Sequence, residues 1–142
     1  MSGSLSTEQS MQFCLVQKRN NLELRLLRIS SEYQLKYAEG CAKTSMYTAQ
    51  MNSEVEAIEA QLGDDPTSEE YMQNMSECES VENEYNTLIQ AAQDQMNMAE
   101  QKMQTDQEMV ETQLEVIREE EEQWDEALAD TAENTFSYFI NT

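Results

Sequence analysis

The chain has 142 residues, with 29 acidic side chains against eight basic ones and no histidine, which gives a formal net charge of −21. Phosphates and anionic membrane surfaces repel such a chain, so nucleic acid and anionic membranes are excluded as expected partners. Three glycines and one proline are few for a globular domain, and helix-forming residues dominate long stretches, so the composition predicts an all-α protein.

The first predicted element is a helix over about residues 6–62. Its apolar residues recur at spacings of three and four, which places one apolar stripe along a helix. Gly40 interrupts this helix at a cost of roughly 1 kcal/mol relative to Ala. It either kinks the helix or breaks it, in which case Thr44 or Ser45 would cap a new helix. The stripe comprises Leu22, Leu26, Ile29, Tyr33, Met51, Val55, Ile58 and Leu62.

A turn is predicted over residues 63–67, which contain the only proline. Gly63 suits the left-handed conformation that ends many helices. Pro66 fits the first turn of a helix, and either Asp65 or Thr67 could cap that helix. We therefore predict that the chain reverses direction here.

The second predicted helix covers about residues 68–134 and contains no Gly or Pro, and an aromatic C-terminal tail follows over 135–142. An apolar stripe sustained over many heptads is typical of a coiled coil. The two helices together predict a long antiparallel helical hairpin that forms a single domain over 1–142. The second stripe comprises Tyr71, Met75, Cys78, Tyr85, Leu88, Ala92, Met96, Ala99, Met103, Val110, Leu114, Ile117, Trp124, Leu128, Phe136 and Phe139.

An antiparallel fold about residue 65 would place residue i near residue 130 − i. Residues 1–43 hold six basic and four acidic side chains, whereas the remainder holds two basic and 25 acidic ones. The hairpin would therefore set a weakly basic segment along an acidic helix, which favours antiparallel pairing. The alternative is that the acidic side chains only solvate the outer surface of the protein. The predicted ion pairs are Lys18 and Arg19 with Glu111, Arg25 with Asp106, and Lys36 with Asp94.

The same alignment places Trp124 opposite Ser6 and the aromatic tail beyond residue 1. Exposed apolar clusters usually mark interaction sites, so we predict that the tail docks onto another chain. The alternative is that it folds back onto its own hairpin. The predicted subunit interface comprises Phe13, Leu15, Leu22, Trp124, Leu128, Phe136, Tyr138, Phe139 and Ile140.

Motifs for catalysis, cofactor binding and metal binding are not found in the sequence. Without histidine, the common zinc sites and histidine-activated nucleophiles cannot form, and there is no glycine-rich phosphate loop. The acidic run 119–122 reads as a solvated helix face. Cys14, Cys41 and Cys78 fall opposite no other cysteine in the hairpin, so we expect buried thiols, with an intermolecular bridge as the alternative. The sequence predicts no enzyme, no cofactor and no small-molecule substrate.

Two segments resemble a group of small, uncharacterised bacterial coiled-coil proteins. They are QFCLVQKRNNLE at residues 12–23 and the acidic stretch over 114–139, which ends in NTFSYF. The resemblance supplies no active site. The hairpin architecture is also similar to subunits of flagellar and type III secretion filaments, which implies terminal helices that pack between subunits and export without a cleaved signal.

These observations predict a structural subunit that self-assembles with its own copies into a filament or another polymer. The alternative is an acidic cytosolic chaperone or adaptor for a basic or amphipathic helical partner. The start of the sequence has neither the basic region nor the apolar stretch of a secretory signal, and no run is long enough for a membrane span. An extracellular or cell-surface location reached without a signal peptide fits the filament hypothesis, and a cytoplasmic location fits the alternative.

Overall fold

The fold is a helical hairpin, seen in a computed structural model that describes the backbone of residues 2–141 and the side chains of residues 7–140. Helix α1 covers Ser2–Glu59, helix α2 covers Glu69–Asn141, and the two pack against each other. The described residues contain no strand. The predicted all-α antiparallel hairpin is therefore confirmed.

Helix α1 is continuous through Gly40, so the possible break there is wrong. The Thr44 hydroxyl donates a hydrogen bond of 2.8 Å to the Gly40 carbonyl, as side chains within an uninterrupted helix do. A β-carbon added at Gly40 would overlap the Cγ and Sδ atoms of Met96 in α2. Glycine fits here because the Met96 side chain occupies the space that a β-carbon would need.

The end of α1 differs from the prediction in its hydrogen bonds and in the backbone conformation of Gly63. The last bonds tighten to the i→i+3 type, because the amide of Gln61 donates to Ile58 and that of Leu62 donates to Glu59. Gly63 follows with no positive φ, so the predicted left-handed position is wrong. A β-carbon there would meet nothing within 4 Å.

Helix α2 is capped by Ser68, and not by Asp65 or Thr67 as predicted. The Ser68 hydroxyl accepts a hydrogen bond of 3.1 Å from the amide of Tyr71, three residues on, which is the geometry of an N-cap. Asp65 instead closes the preceding turn, because it accepts bonds from the amide and the hydroxyl of Thr67 at 3.0 and 2.6 Å. The side-chain bond from Thr67, followed by the backbone bond, lowers the pKa of Asp65.

The aromatic end of the chain is helical rather than a separate tail. Helix α2 extends to Asn141, past the predicted end at residue 134. The hydroxyl of Thr135 bonds the carbonyl of Thr131 at 2.8 Å, within the continuing helix. Thr142 and the side chain of Ser6, on which two of the predictions fall, lie outside the described residues.

The contacts between the helices group into two compact units. The terminal unit combines α1 up to Ser31 with α2 from Met103 onward, and the turn unit covers Glu32–Lys102. Most predicted stripe residues lie on the seam between the helices, buried or half-buried. Met75, Leu88, Phe136 and Phe139 are exposed instead, and Val81 and Ile89 take half-buried positions. The buried residues are Leu15, Val110, Leu114 and Ile117 in the terminal unit, and Gly40, Cys78 and Ala92 in the turn unit.

The register of the hairpin is shifted from the prediction. Residue numbers of cross-helix partners add up to between 133 and 140, not 130. Val55, near the end of α1, faces Cys78, which lies more than two turns into α2. The predicted ion pairs are therefore wrong, and Arg19 pairs with Glu121 at 2.6 Å instead of Glu111.

Candidate interaction surfaces

An apolar stripe runs along α1 on the side away from α2, and we call it the outer face. Its main residues, Phe13, Leu24, Leu35 and Met46, follow one another at a constant spacing of eleven residues. Eleven residues are close to three helical turns, so these side chains share one face of the helix. Leu27 lies three positions after Leu24, at the border of the same face. Their exposed fractions range from 47% for Met46 to 69% for Leu27.

The outer face lies opposite the seam because each of its residues is offset by two positions from a seam residue. Leu24 follows Leu22, and Leu35 follows Tyr33. Two positions correspond to a rotation of roughly 200° about the helix axis. In both units, α1 therefore has one apolar side against α2 and a second in solvent. The single stripe predicted from the sequence missed this second side, although the Leu-x-Leu spacing of residues 22–24 could have indicated it.

The outer face has few charged side chains for a chain that has 29 carboxylates. Single exposed apolar residues are ordinary on a protein surface, whereas several along one face indicate an interaction site. Arg28 and Glu39 lie on the face, four positions after Leu24 and Leu35. The uncharged positions that lie on this face between Phe13 and Met46 are Gln17, Asn20, Ser31, Ala38 and Ala42.

The second apolar surface is the C-terminal aromatic segment, which comprises Phe136, Tyr138, Phe139 and Ile140. These side chains are 59–72% exposed. The Tyr138 and Phe139 rings meet edge to face with centroids 6.2 Å apart. The rings are therefore accessible to a neighbouring molecule while they stay on a regular helix.

Other residues of the predicted subunit interface pack within their own chain. Leu15 is 2% exposed and belongs to the seam, so it is not available to another subunit. Leu22, Trp124 and Leu128 are half-buried on the seam side of their helices. Asp125, the neighbour of Trp124, accepts a hydrogen bond from Gln12. Of the predicted set, Phe13 and the C-terminal aromatic segment remain exposed.

A groove of about 410 Å³, which we call the lysine groove, lies in the turn unit. Small residues of both helices, Gly40, Ala92 and Ala99, contribute to its surface together with Met96. Lys102 is one of only two basic residues after residue 43. The charged residues that line the groove are Lys36, Lys43, Lys102 and Glu39, and the remaining lining residues are Gln95 and Met98.

The terminal unit has two further depressions. A second groove, of about 440 Å³, is mainly apolar and has one basic side chain, Lys18. It is also lined by Asn21, Leu22, Thr112, Gln113, Val116 and Ile117. An acidic depression of about 380 Å³ is lined by Glu115, Arg118, Glu119, Glu121, Glu122 and Asp125.

The acidic depression includes three residues of the run 119–122, which the sequence predicts to be a solvated face. Glu119 is exposed, whereas Glu120 and Glu121 are half-buried, and Glu121 accepts the ion pair from Arg19. The other carboxylate oxygen of Glu121 is buried and has no hydrogen-bond partner. Across the described residues, no three Cys, Asp or Glu side chains gather closely enough to hold a metal ion.

The cysteines differ in their surroundings, and the prediction of three buried thiols is wrong for two of them. Cys14 and Cys41 are exposed. Cys78 is buried, and burial together with the negative charge of Glu59 raises the pKa of its thiol. The pKa of Tyr85 is also raised, chiefly because its hydroxyl donates a 2.8 Å hydrogen bond to Glu54. Both shifts follow from seam packing beside carboxylates.

Comparisons with protein-family models, curated proteins and solved structures found no match to this chain. The resemblance to bacterial coiled-coil proteins therefore stays a prediction. Within residues that the structure describes, neither helix has a stretch long and apolar enough to cross a membrane.

Proposed function

We propose that the protein is a structural coiled-coil subunit that assembles with its own copies into a filament or another polymer. The observation that carries the proposal is the outer face of α1, which remains largely apolar and exposed after the hairpin has formed. A helix that is apolar on two opposite sides has a place for a helix on each. The hairpin fills one of these places.

The energetics favour a helical partner of the same periodicity. Complete burial of a Leu, Phe or Met side chain is worth roughly 1.5–3 kcal/mol, and the outer face presents five such residues. Their combined burial can offset an association cost of roughly 4–15 kcal/mol. A second α1 offers the same eleven-residue spacing, so an identical chain supplies a matching surface.

Two separate apolar surfaces support polymer formation over a closed dimer. The outer face belongs to α1 and the C-terminal aromatic segment belongs to α2, so one chain has surfaces for more than one neighbour. Contacts between unlike surfaces that do not close into a ring produce helical fibres.

The test is to place a charge on the outer face. We expect Leu27→Glu to raise the concentration needed for assembly at least tenfold, because the carboxylate must be desolvated on binding. Met109→Glu, at an exposed methionine on α2, is the matched control and leaves assembly unchanged. Sedimentation velocity and negative-stain microscopy measure the assemblies, and circular dichroism checks that both variants stay helical. A native chain that remains monomeric at high concentration contradicts the proposal.

The acidic depression favours a second candidate function, an adaptor or chaperone for a basic helical partner. Its carboxylates are concentrated on one part of α2 and would attract Lys and Arg side chains. This candidate predicts a small soluble species that binds a basic amphipathic peptide with strong salt dependence. The double variant Glu119→Gln and Glu122→Gln would weaken that binding and leave self-assembly unchanged.

A further inference from the structure

We infer that the lysine groove of one chain binds the C-terminal aromatic segment of a second copy. This inference rests on the proposed self-assembly and names the two surfaces that meet. The donor surface lies in the terminal unit and the acceptor groove lies in the turn unit.

The shape of the lysine groove suits large flat side chains. Gly40 and Ala92 are buried at its floor, and Ala99 is half-buried. Small residues let a neighbouring helix approach closely, and the groove volume of about 410 Å³ leaves room for aromatic rings. The adjacent Met96 and Met98 are flexible apolar side chains that adapt to an incoming ring.

Charge selects an acidic occupant. Three lysines and one glutamate line the groove, so it is locally positive on a chain whose net charge is −21. The carboxylates of the chain repel one another, whereas these lysines attract an acidic segment of a second copy. The second groove offers only Lys18 and lacks this selection.

The C-terminal aromatic segment has the complementary combination of acid and ring. Glu133, Phe136 and Ile140 are spaced by three and four residues, so they share one face of α2. Phe139 lies three positions after Phe136 and widens the apolar part of this face. A helix docked by this side would place the Glu133 carboxylate beside lysines and the Phe136 ring over the small-residue floor. Lysine also binds aromatic faces through cation–π contacts.

The contact joins two unlike surfaces, so further chains can add at both ends of a bound pair. Each chain has one donor segment and one acceptor groove, so a bound pair still has a vacant groove and a vacant segment. Such a head-to-tail contact gives rings or open fibres. It accounts for a polymer, whereas outer faces alone would pair chains two by two.

Cysteine cross-linking in the full chain tests the contact. In a background with Cys14→Ser and Cys41→Ser, one chain has Gln95→Cys in the groove and another has Ser137→Cys, which keeps every ring of the aromatic segment. We expect the mixture to form a disulfide-linked dimer under mild oxidation, and a chain with both substitutions to form a ladder. Gln113→Cys, in the second groove, is the matched control and should link at least tenfold less. Preferential linkage of Gln113→Cys to Ser137→Cys overturns the inference.

Charge exchange gives an independent readout. Lys43→Glu should raise the concentration needed for assembly at least tenfold, and adding Glu133→Lys to the same chain should restore it. Lys18→Glu makes the same charge change outside the groove and should have less than a twofold effect. If the native chain assembles but shows neither the Gln95 cross-link nor the charge rescue, the groove is not the binding site, and the proposed function still holds. A native chain that never assembles overturns both.

Discussion

The terminal unit and the turn unit hold the same two helices together by different means. In the terminal unit the buried side chains are branched aliphatics, such as Leu15, Val110 and Leu114. In the turn unit the buried positions are Gly40, Cys78 and Ala92, which are all small. One stretch of the hairpin thus has a core of large apolar side chains, and the other buries only small residues, with the Met96 side chain packed against Gly40.

The size of the buried residues affects both the stability of each unit and the shape of its surface. Large buried aliphatics remove much apolar area from water, and each contributes roughly 1.5–3 kcal/mol. Small residues contribute less, but they leave a groove between the helices, as the lysine groove shows. We therefore expect the terminal unit to contribute most of the stability and the turn unit to provide the shaped surface.

The largest expected effect is in the terminal core. Leu114→Ala should lower the free energy of unfolding by about 2–5 kcal/mol, because it empties a position that is 3% exposed. Cys78→Ala, at the largest buried side chain of the turn unit, should cost only about 1 kcal/mol. Urea unfolding followed by circular dichroism at one fixed protein concentration compares the two. Equal losses would remove the proposed contrast between the units.

A double-mutant cycle tests the close approach at Gly40. In the native chain Gly40→Ala should be destabilising by about 1–2 kcal/mol, because overlap with Met96 exceeds the gain in helix propensity. In a Met96→Ala background the same substitution should stabilise the protein by about 1 kcal/mol. Chemical unfolding of the four proteins gives the coupling. The same effect in both backgrounds would show that the methionine does not restrict this position.

The smallest expected effect concerns the start of α2 in the turn unit. Ser68→Ala should cost about 1 kcal/mol, because the amide of Tyr71 loses its capping acceptor. Thr67→Ala removes an exposed hydroxyl that bonds Asp65 in the turn but no amide of α2, so it should cost less than Ser68→Ala. Thermal unfolding of the pair measures the difference. A larger loss for Thr67→Ala would favour the cap predicted from the sequence.

Local features account for what could be predicted of the fold. Apolar spacing and the position of Pro66 predicted two helices and a reversal, and both are present. The cap was assigned to the wrong residue because Asp65, Thr67 and Ser68 are all good capping residues. Their hydrogen bonds decide between them, and Asp65 bonds to Thr67 rather than to α2.

The candidate surfaces were predicted less completely. The C-terminal aromatic segment could be found because its rings stand out in an acidic sequence. The lysine groove could not be found from the sequence. Lys36, Lys43 and Lys102 line one groove only in the observed register of the hairpin, which differs from the predicted 130 − i alignment. The outer face was missed because the periodicity analysis sought a single stripe.

The sequence by itself determined that the chain is helical, where it reverses, and which side of each helix is mainly apolar. These properties depend on residues within a few turns of one another. Only the tertiary structure decided the register of the hairpin, the role of Gly40 and the residues that line each groove. Those depend on how the turn at Pro66 offsets two long helices, and a shift of one helical turn changes every cross-helix pair.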